Sequence, residues 1–408
     1  MKVLTLNCGS SSIKFSVIDT DLDIIERNED KILVKGQIEK IGLPGTLITY
    51  EVPGKDVYKT ALSIFDHQDA LHKIARMLTT EETKIFDRVE DIEAVGHRIV
   101  HGGEIFSTSV KIDERVEKEI ENCIEFAPLH NPHNLKGYRV AKSIFRKAPH
   151  VAIFDTGFHH TMPDYAYIYA LPYVFYQKYK IRRYGFHGSS HRFVSFRVAC
   201  ILGTKREKFK IITIHLGNGC SICAIDRGRS VDTSMGFTPV EGLVMGTRGG
   251  DLDPAVILHI ISREEITLQE ADTLLNKHSG LYGVSGISSD LREILKAMNE
   301  GNYRARLAVD IFCYRLKRYI SAYMGVLEGA DIIVFTGGIG ENAAIIREKS
   351  IQGLEFMGIR LDKEKNNKAL GIESCISDEH SKVMIFVIPT NEELVIARDT
   401  VRCIMGII

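Results

Sequence analysis

One design occurs twice in this 408-residue chain, and that repetition limits the fold more than any other feature. The first copy is LTLNCGSSSIKFSVID, Leu4 to Asp19: an alternating apolar run, a Gly/Ser turn and a second alternating run. The second is ITIHLGNGCSICAID, Ile212 to Asp226, in which His215 stands where the first copy has Asn7. Ile13, Phe15 and Val17 alternate in one second run, and Ile222, Ala224 and Asp226 in the other, the period of a strand. A weaker pair lies downstream. DIEAVGHRIVHGG, Asp91 to Gly103, and DIIVFTGGIGEN, Asp331 to Asn342, both run from Asp through an apolar strand to a glycine-rich turn. Hairpin turns commonly collect Gly, Ser and Asn, so the weight rests on the ordered set and not on either hairpin alone.

The turns themselves suit a polyanion. Small residues let backbone N–H groups and hydroxyls approach phosphate closely, and Lys14 adds a mobile point charge beside Asn7, Ser10, Ser11 and Ser12.

Alternating strand and helix signals predict an α/β chain of two domains, 1–155 and 156–392, with a helix at 393–408 that crosses back to the first. Strands are expected at 2–7, 13–19, 31–39, 47–52, 92–100 and 150–155, then at 211–216, 221–226, 230–233, 331–336 and 383–388. Helices are expected at 68–79, 113–126, 268–277 and 303–327, the last buried on more than one side because Leu307, Ile311 and Tyr314 form a second apolar face. In the tyrosine-dense run from Tyr165 to Tyr184, Tyr165, Tyr167 and Tyr169 alternate as on a strand, which favours a core or subunit interface over base stacking.

Composition closes off several function classes. A net charge of −1 and a pI near 6.9 provide no field to recruit nucleic acid or anionic membrane. No apolar run approaches the roughly 18–20 residues of a spanning helix, and MKVLTLN reads as a strand without a secretory pattern, so a cytoplasmic location is expected. The eight cysteines are scattered. Their one CxxC, Cys220 and Cys223, would sit on opposite faces of a strand about 10 Å apart, too far for a disulfide. The pairs His97/His101 and His187/His191 have metal-ligand spacing, but glycines intrude and HExxH is absent, so no zinc site is expected. GxxxxGK[ST] and a strand-following GxGxxG are absent too, as are the protein-kinase signatures.

Charge-handling residues cluster in the remaining motifs. Arg98 lies in GHRIVHGG and Arg248 in MGTRGGDLDP, both among glycines. IRRYGFHGSSH presents His187, FDTGFHH ends a strand with Asp155, and IPTNEEL ends one with Asn391, Glu392 and Glu393. Carboxylates at the C-terminal ends of strands suit a metal ion or a reacting group.

Taken in order, NCGSSSIK, GHRIVHGG, APLHNP, FDTGFH, YGFHGSSH, HLGNGCS, SMGFTPVEGLVMGTR, FTGGIGEN and IPTNEE resemble the acetokinase family over essentially the whole chain. That family is a branch of the superfamily of sugar kinases, heat-shock chaperone ATPases and actin. Cys220, His133 and Tyr282 depart from its usual pattern without removing a polar group the chemistry needs.

The resemblance implies two duplicated RNase-H-like (actin-like ATPase) domains, a nucleotide in the cleft between them, and a homodimer. It implies Mg-ATP-dependent conversion of acetate to acetyl phosphate, reversible, with Mn2+ as a substitute metal. Asn7 and Glu392 would hold Mg2+. Lys14, Ser10 and Ser12 would meet phosphate, as would His215, Leu216, Gly217, Asn218 and Gly219. Asp290, Leu291 and Arg292, with Gly338, Ile339, Gly340, Glu341 and Asn342, would hold the nucleoside. Arg98 would hold the acyl carboxylate, while Val100, Leu129, Phe186 and Pro239 would line a small apolar pocket. Asp155, His187 and Arg248 would attend the transferring phosphoryl group.

The chemistry is consistent with this implied set of residues. A carboxylic acid is ionised at pH 7, so the obstacle is bringing an anion to a polyanion, and no strong base is needed. Asp155 is therefore expected to orient Arg248 or the acid, or to help bind metal. A propionate or butyrate kinase is the nearer alternative, and a nucleotide-switched actin-like binding protein the farther one.

Overall fold

Both hairpins form, and each seeds a sheet. The computed structural model describes residues 1–80 and 84–408. Those residues group into two compact units, Met1–Phe158 with Asn391–Ile408, and His159–Thr390.

In the first unit the strands are Lys2–Cys8 (β1), Ser12–Asp19 (β2), Lys31–Glu39 (β3), Thr46–Glu51 (β4), Tyr58–Leu62 (β5), Ala94–Ile99 (β6), Val110–Lys111 (β7) and His150–Phe154 (β8). Their order is β5-β4-β3-β2-β1-β6-β8-β7. The run β1 to β5 is an antiparallel meander, whereas β1, β6 and β8 are parallel neighbours. The second unit carries Lys210–Leu216 (β9), Cys220–Asp226 (β10), Arg229–Thr233 (β11), Ile332–Thr336 (β12), Ser374–Cys375 (β13) and Met384–Val387 (β14), in the order β11-β10-β9-β12-β14-β13.

The duplication is therefore structural. The run β3-β2-β1-β6-β8 recurs as β11-β10-β9-β12-β14 with the same parallel and antiparallel senses, the five-stranded RNase-H-like core. Even the irregularity repeats. The register shifts at Val17/Ile18 in one unit and at Ala224/Ile225 in the other, just before the Asp that closes each hairpin.

Alternation sorts side chains to the two faces of the first sheet. Leu4, Leu6, Ile13, Phe15 and Val17 pack with Ala70, Leu71 and Ile74 of the helix His67–Thr79. Val3, Ile18 and Ala94 meet Ala397 and Val401 of the final helix, Glu392–Ile404. That helix approaches closely because β6 has Gly96 beneath it, where a Cβ would collide with Thr400 and Ile396. Asn391 caps it, its side chain accepting from the Leu394 N–H at 3.0 Å.

Two sequence expectations are corrected. The helix Tyr303–Val326 is buried on one side only, through residues such as Ala308, Phe312, Leu316 and Tyr323, while Leu307 and Tyr314 are exposed. The tyrosine run is not a strand. It forms two short helices, Asp164–Tyr167 after Pro163 and Val174–Tyr179 after Pro172, with Tyr165, Tyr173, Phe175 and Tyr179 exposed. No helix among the described residues is long and apolar enough to cross a membrane.

Candidate active site

In the first unit the strand ends gather Asn7, Arg98, Asp155 and Glu392. Arg98 points from β6 and Asp155 directly follows β8, so parallel pairing of those strands sets the two side by side. Arg98 Nε donates to Asp155 Oδ1 at 2.9 Å and Oδ2 at 3.1 Å, and Nη2 donates to Oδ2 at 2.5 Å. Arg98 Nη1 turns the other way and donates to Asn7 Oδ1 at 3.2 Å. A Glu392 oxygen stands 4.0 Å from Arg98 Nε.

Asp155 is buried. Burial opposes the Arg98 charge, but Asp155 and then Glu392 outweigh it and hold the guanidinium above its ordinary pKa. Burial also lifts the Asp155 carboxyl, against the pull of Arg98. Arg98, and not Arg248, is the group Asp155 pairs with.

Around this cluster the backbone is stapled. Asn134 accepts from the Val100 N–H at 3.0 Å and donates to Cys8 O at 2.8 Å. The Ser10–Ser12 turn closes through Gly9 N–H to Ser12 O at 2.8 Å, and His67 Nε2 lies 2.6 Å from Gly9 O. Lys14 is exposed, paired across β1/β2 with Asn7. Val100 is buried and Leu129 is exposed.

In the second unit His187 takes a left-handed conformation, φ 58°, at the start of the helix Gly188–Ile201. Its ring stacks on His215 with centroids 4.2 Å apart, and its Nδ1 lies 2.9 Å from Ser221 Oγ. The turn Gly217–Gly219 is closed by Gly217 N–H donating to Gly219 O at 3.0 Å. A Cβ on Gly219 would sit 3.4 Å from His187 Nε2 and 3.7 Å from Arg248 Nη1, so histidine and arginine flank the glycine turn together. Arg248 Nη1 donates to Pro239 O at 2.9 Å. No carboxylate of its own unit pairs with Arg248 among the described residues, and burial lowers its pKa. A half-buried guanidinium without a counter-charge attracts an anion. Phe186 is buried and Pro239 half-buried.

Beside that turn opens a cavity of about 640 Å³, lined by Gly217, Asn218, Asp290, Leu291, Arg292, Gly338, Ile339 and Asn342 of the predicted set. Ser289, Leu295 and Ala343 complete the lining. The volume falls in the range of small-ligand and cofactor sites. Asp290 caps the helix Leu291–Asn299 and grips Arg292 through contacts of 2.6 to 3.1 Å, which sets a flat guanidinium at the rim. Gly340 and Glu341 do not line the cavity. Glu341 Oε1 accepts instead from Gly337 N–H at 2.9 Å and Thr390 N–H at 3.1 Å, tying two strand ends together.

The sequence profile of the acetokinase family matches residues 2–398. The chain belongs to the acetokinase family. It is 51% identical over 414 aligned residues to the acetate kinase of Chloroherpeton thalassium, covering 99% of both chains. The crystal structure of Porphyromonas gingivalis acetate kinase is similar at a TM-score of 0.92, with 45% identity and 99% of each chain covered. A propionate kinase from Francisella tularensis is similar at 0.89, with 41% identity and 98% of each chain covered.

Within this acetokinase fold, several functional neighbours escape a reading of single motifs. Asn134, Ser190, His191, Thr213 and Ser221 all hydrogen-bond to residues of the two clusters or to one another. His191 and Ser190 sit in the quoted YGFHGSSH and Ser221 in HLGNGCS, so the signal was present without a partner to reveal it.

Proposed function

We propose that this acetokinase-family protein transfers the γ-phosphoryl group of ATP to acetate, giving acetyl phosphate and ADP, and runs the reaction in both directions. The observation that carries the reading is the Arg248 guanidinium, without a carboxylate in its unit and set beside His187 at the glycine turn that borders the 640 Å³ cavity. Equatorial oxygens of a transferring phosphoryl group gather charge, and an arginine paired with no carboxylate of its unit can answer it.

The proposal assigns the nucleoside to the cavity between Arg292 and Ile339, its phosphates to Gly217–Gly219, and a phosphoryl oxygen to Arg248 and His187. Arg98 contributes its Nη1 edge to the acid, since Asp155 occupies Nε and Nη2. Asp155 orients Arg98 and abstracts no proton, because acetate arrives ionised. Asn7 Oδ1 retains a second lone pair and Glu392 offers a carboxylate, oxygen donors of the kind Mg2+ takes along with phosphates. When bound, Mg2+ supplies charge neutralisation on the phosphates. A cytoplasmic homodimer belongs to the same proposal. Eight free cysteines support a reducing compartment, and the exposed Tyr165, Tyr173, Phe175 and Tyr179 support an interface.

Propionate is the second reading, favoured by the similarity to a propionate kinase. An apolar pocket discriminates by only about 1–3 kcal/mol per methylene. Acyl phosphate trapped as the hydroxamate, with acetate, propionate and butyrate in parallel, decides between them. The highest kcat/KM with acetate is expected. No product from any of the three would overturn the proposal.

A further inference from the structure

Three buried side chains of the second unit, which the proposed chemistry does not use, form a continuous hydrogen-bonded chain to the half-buried His187. Thr213 Oγ1 lies 2.7 Å from His191 Nδ1, His191 Nε2 lies 2.7 Å from Ser221 Oγ, and Ser221 Oγ lies 2.9 Å from His187 Nδ1. Thr213, His191 and Ser221 are each completely buried. We propose that Thr213, His191 and Ser221 form a one-way hydrogen-bond relay that sets the tautomer of His187, leaving the proton on Nε2 as a donor beside the Gly217–Gly219 turn. The proposal deepens the reading above and rests on His187 serving the transferring phosphoryl group.

Proton counting gives the direction. Burial, reinforced by the nearby His159 and His215, drives His191 well below its ordinary pKa, so it is neutral and carries one N–H. Among the described residues the Thr213 hydroxyl has one hydrogen-bond partner, His191 Nδ1. If His191 donated from Nδ1, the Thr213 proton would be buried without an acceptor, an expensive arrangement. Thr213 therefore donates to Nδ1, His191 donates from Nε2 to Ser221, and Ser221 donates to His187 Nδ1. His187 must then hold its proton on Nε2, the ring atom facing Gly219.

A second consequence concerns charge. Protonating His187 at Nδ1 would force Ser221 to turn its hydroxyl onto an His191 nitrogen that already bears hydrogen. The relay presents the Nε2–H of His187 as a donor toward Gly219. Thr213, His191 and Ser221 are positioning residues, since none of them faces the glycine turn itself.

The test compares Thr213→Val, isosteric but without the hydroxyl, with Thr213→Ser, which restores it. Side-chain nitrogen NMR of the full chain labelled at histidine reads the His187 tautomer, assigned with His187→Gln. The Nε2–H form is expected in the wild type and in Thr213→Ser, and loss of that preference in Thr213→Val. With it kcat should fall about tenfold or more, short of the roughly 10²–10⁴ of a full general acid–base contribution, while KM for ATP and acetate stays within about twofold. An unchanged His187 tautomer in Thr213→Val, or an Nδ1–H form in the wild type, overturns the relay. If Thr213→Val does not fold, Ser221→Ala is read in the same way. The NMR arm needs no turnover, so it stays decisive even if the protein phosphorylates no acid.

Discussion

Arg98 and Asp155 are 57 positions apart in the chain, yet they share three N–H···O contacts at the ends of neighbouring parallel strands. The pairing makes the two candidate arginines, one in each unit, unlike each other. Arg98 is neutralised and aimed, while Arg248 pairs with no carboxylate of its own unit.

Asp155→Asn should break the fork by setting an amide N–H against a guanidinium N–H. Loss of one partner of a buried pair predicts a stability drop of about 3 kcal/mol, read by urea unfolding at pH 7. Arg98→Met combined with Asp155→Leu should recover most of that stability and none of the activity. Full activity in the double variant would remove Arg98 from the site.

Arg248→Ala should lower kcat by roughly 10³ to 10⁵, the range of a transition-state arginine. Its melting temperature should not fall, because the variant removes a half-buried charge that has no carboxylate in its unit. Arg248→Lys should restore little, since an ammonium lacks the planar fork. Near-normal turnover of Arg248→Ala would refute the assignment.

Gly338 borders the cavity, and a Cβ there meets nothing within 4 Å. Gly338→Leu should therefore fold normally and fill the nucleoside space. KM for ATP should rise roughly tenfold or more, equivalent to about 1.4 kcal/mol. Initial rates against ATP concentration decide it.

Gly96→Ala tests the docking of the final helix. The added methyl collides with Thr400 and Ile396, an overpacking cost of about 1–3 kcal/mol. Activity should fall with stability because the same helix carries Glu392 in its first turn. Thermal unfolding and turnover of the one variant measure both.

Acid should weaken the first unit through His97 and His150, whose ring nitrogens meet at 2.9 Å inside it. Burial lowers His97 well below its usual pKa, helped by His150, and lowers His150 to about 4, against the Phe145 carbonyl and with Lys142. Tyr138 packs edge-on to both rings. The unfolded chain binds protons at about 6.5 and the folded one does not, so stability is complete above that pH and declines below it. For His150 the loss levels off near pH 4 at roughly 3 kcal/mol. His150→Gln should flatten the decline of urea stability between pH 6.5 and 4 by about one proton. An unchanged slope would discount the pair.

Local pattern was enough to anticipate the strands, because apolar alternation marks a half-buried strand wherever it sits in the chain. The β1/β2 and β9/β10 hairpins and the paired strands β6 and β12 were legible for that reason. Helices without a clean stripe were not. Gly188–Ile201 opens on GSSH and buries Ser189, Ser190 and His191, so its inner face reads as polar. The tyrosine run misled in the opposite sense, since its alternation falls on a short helix, Asp164–Tyr167, that starts after Pro163.

The sequence alone determined the duplication, the glycine turns and the residue types of the candidate site, because these are written in contiguous stretches. Partnership was decided by tertiary structure. That Asp155 serves Arg98, that Glu341 ties strand ends, and that Thr213 reaches His187 through His191 and Ser221 depend on strand order and register. Hydrogen bonds and charge pairing act over a few ångströms of space, and only the closed sheet brings residues tens of positions apart within that distance.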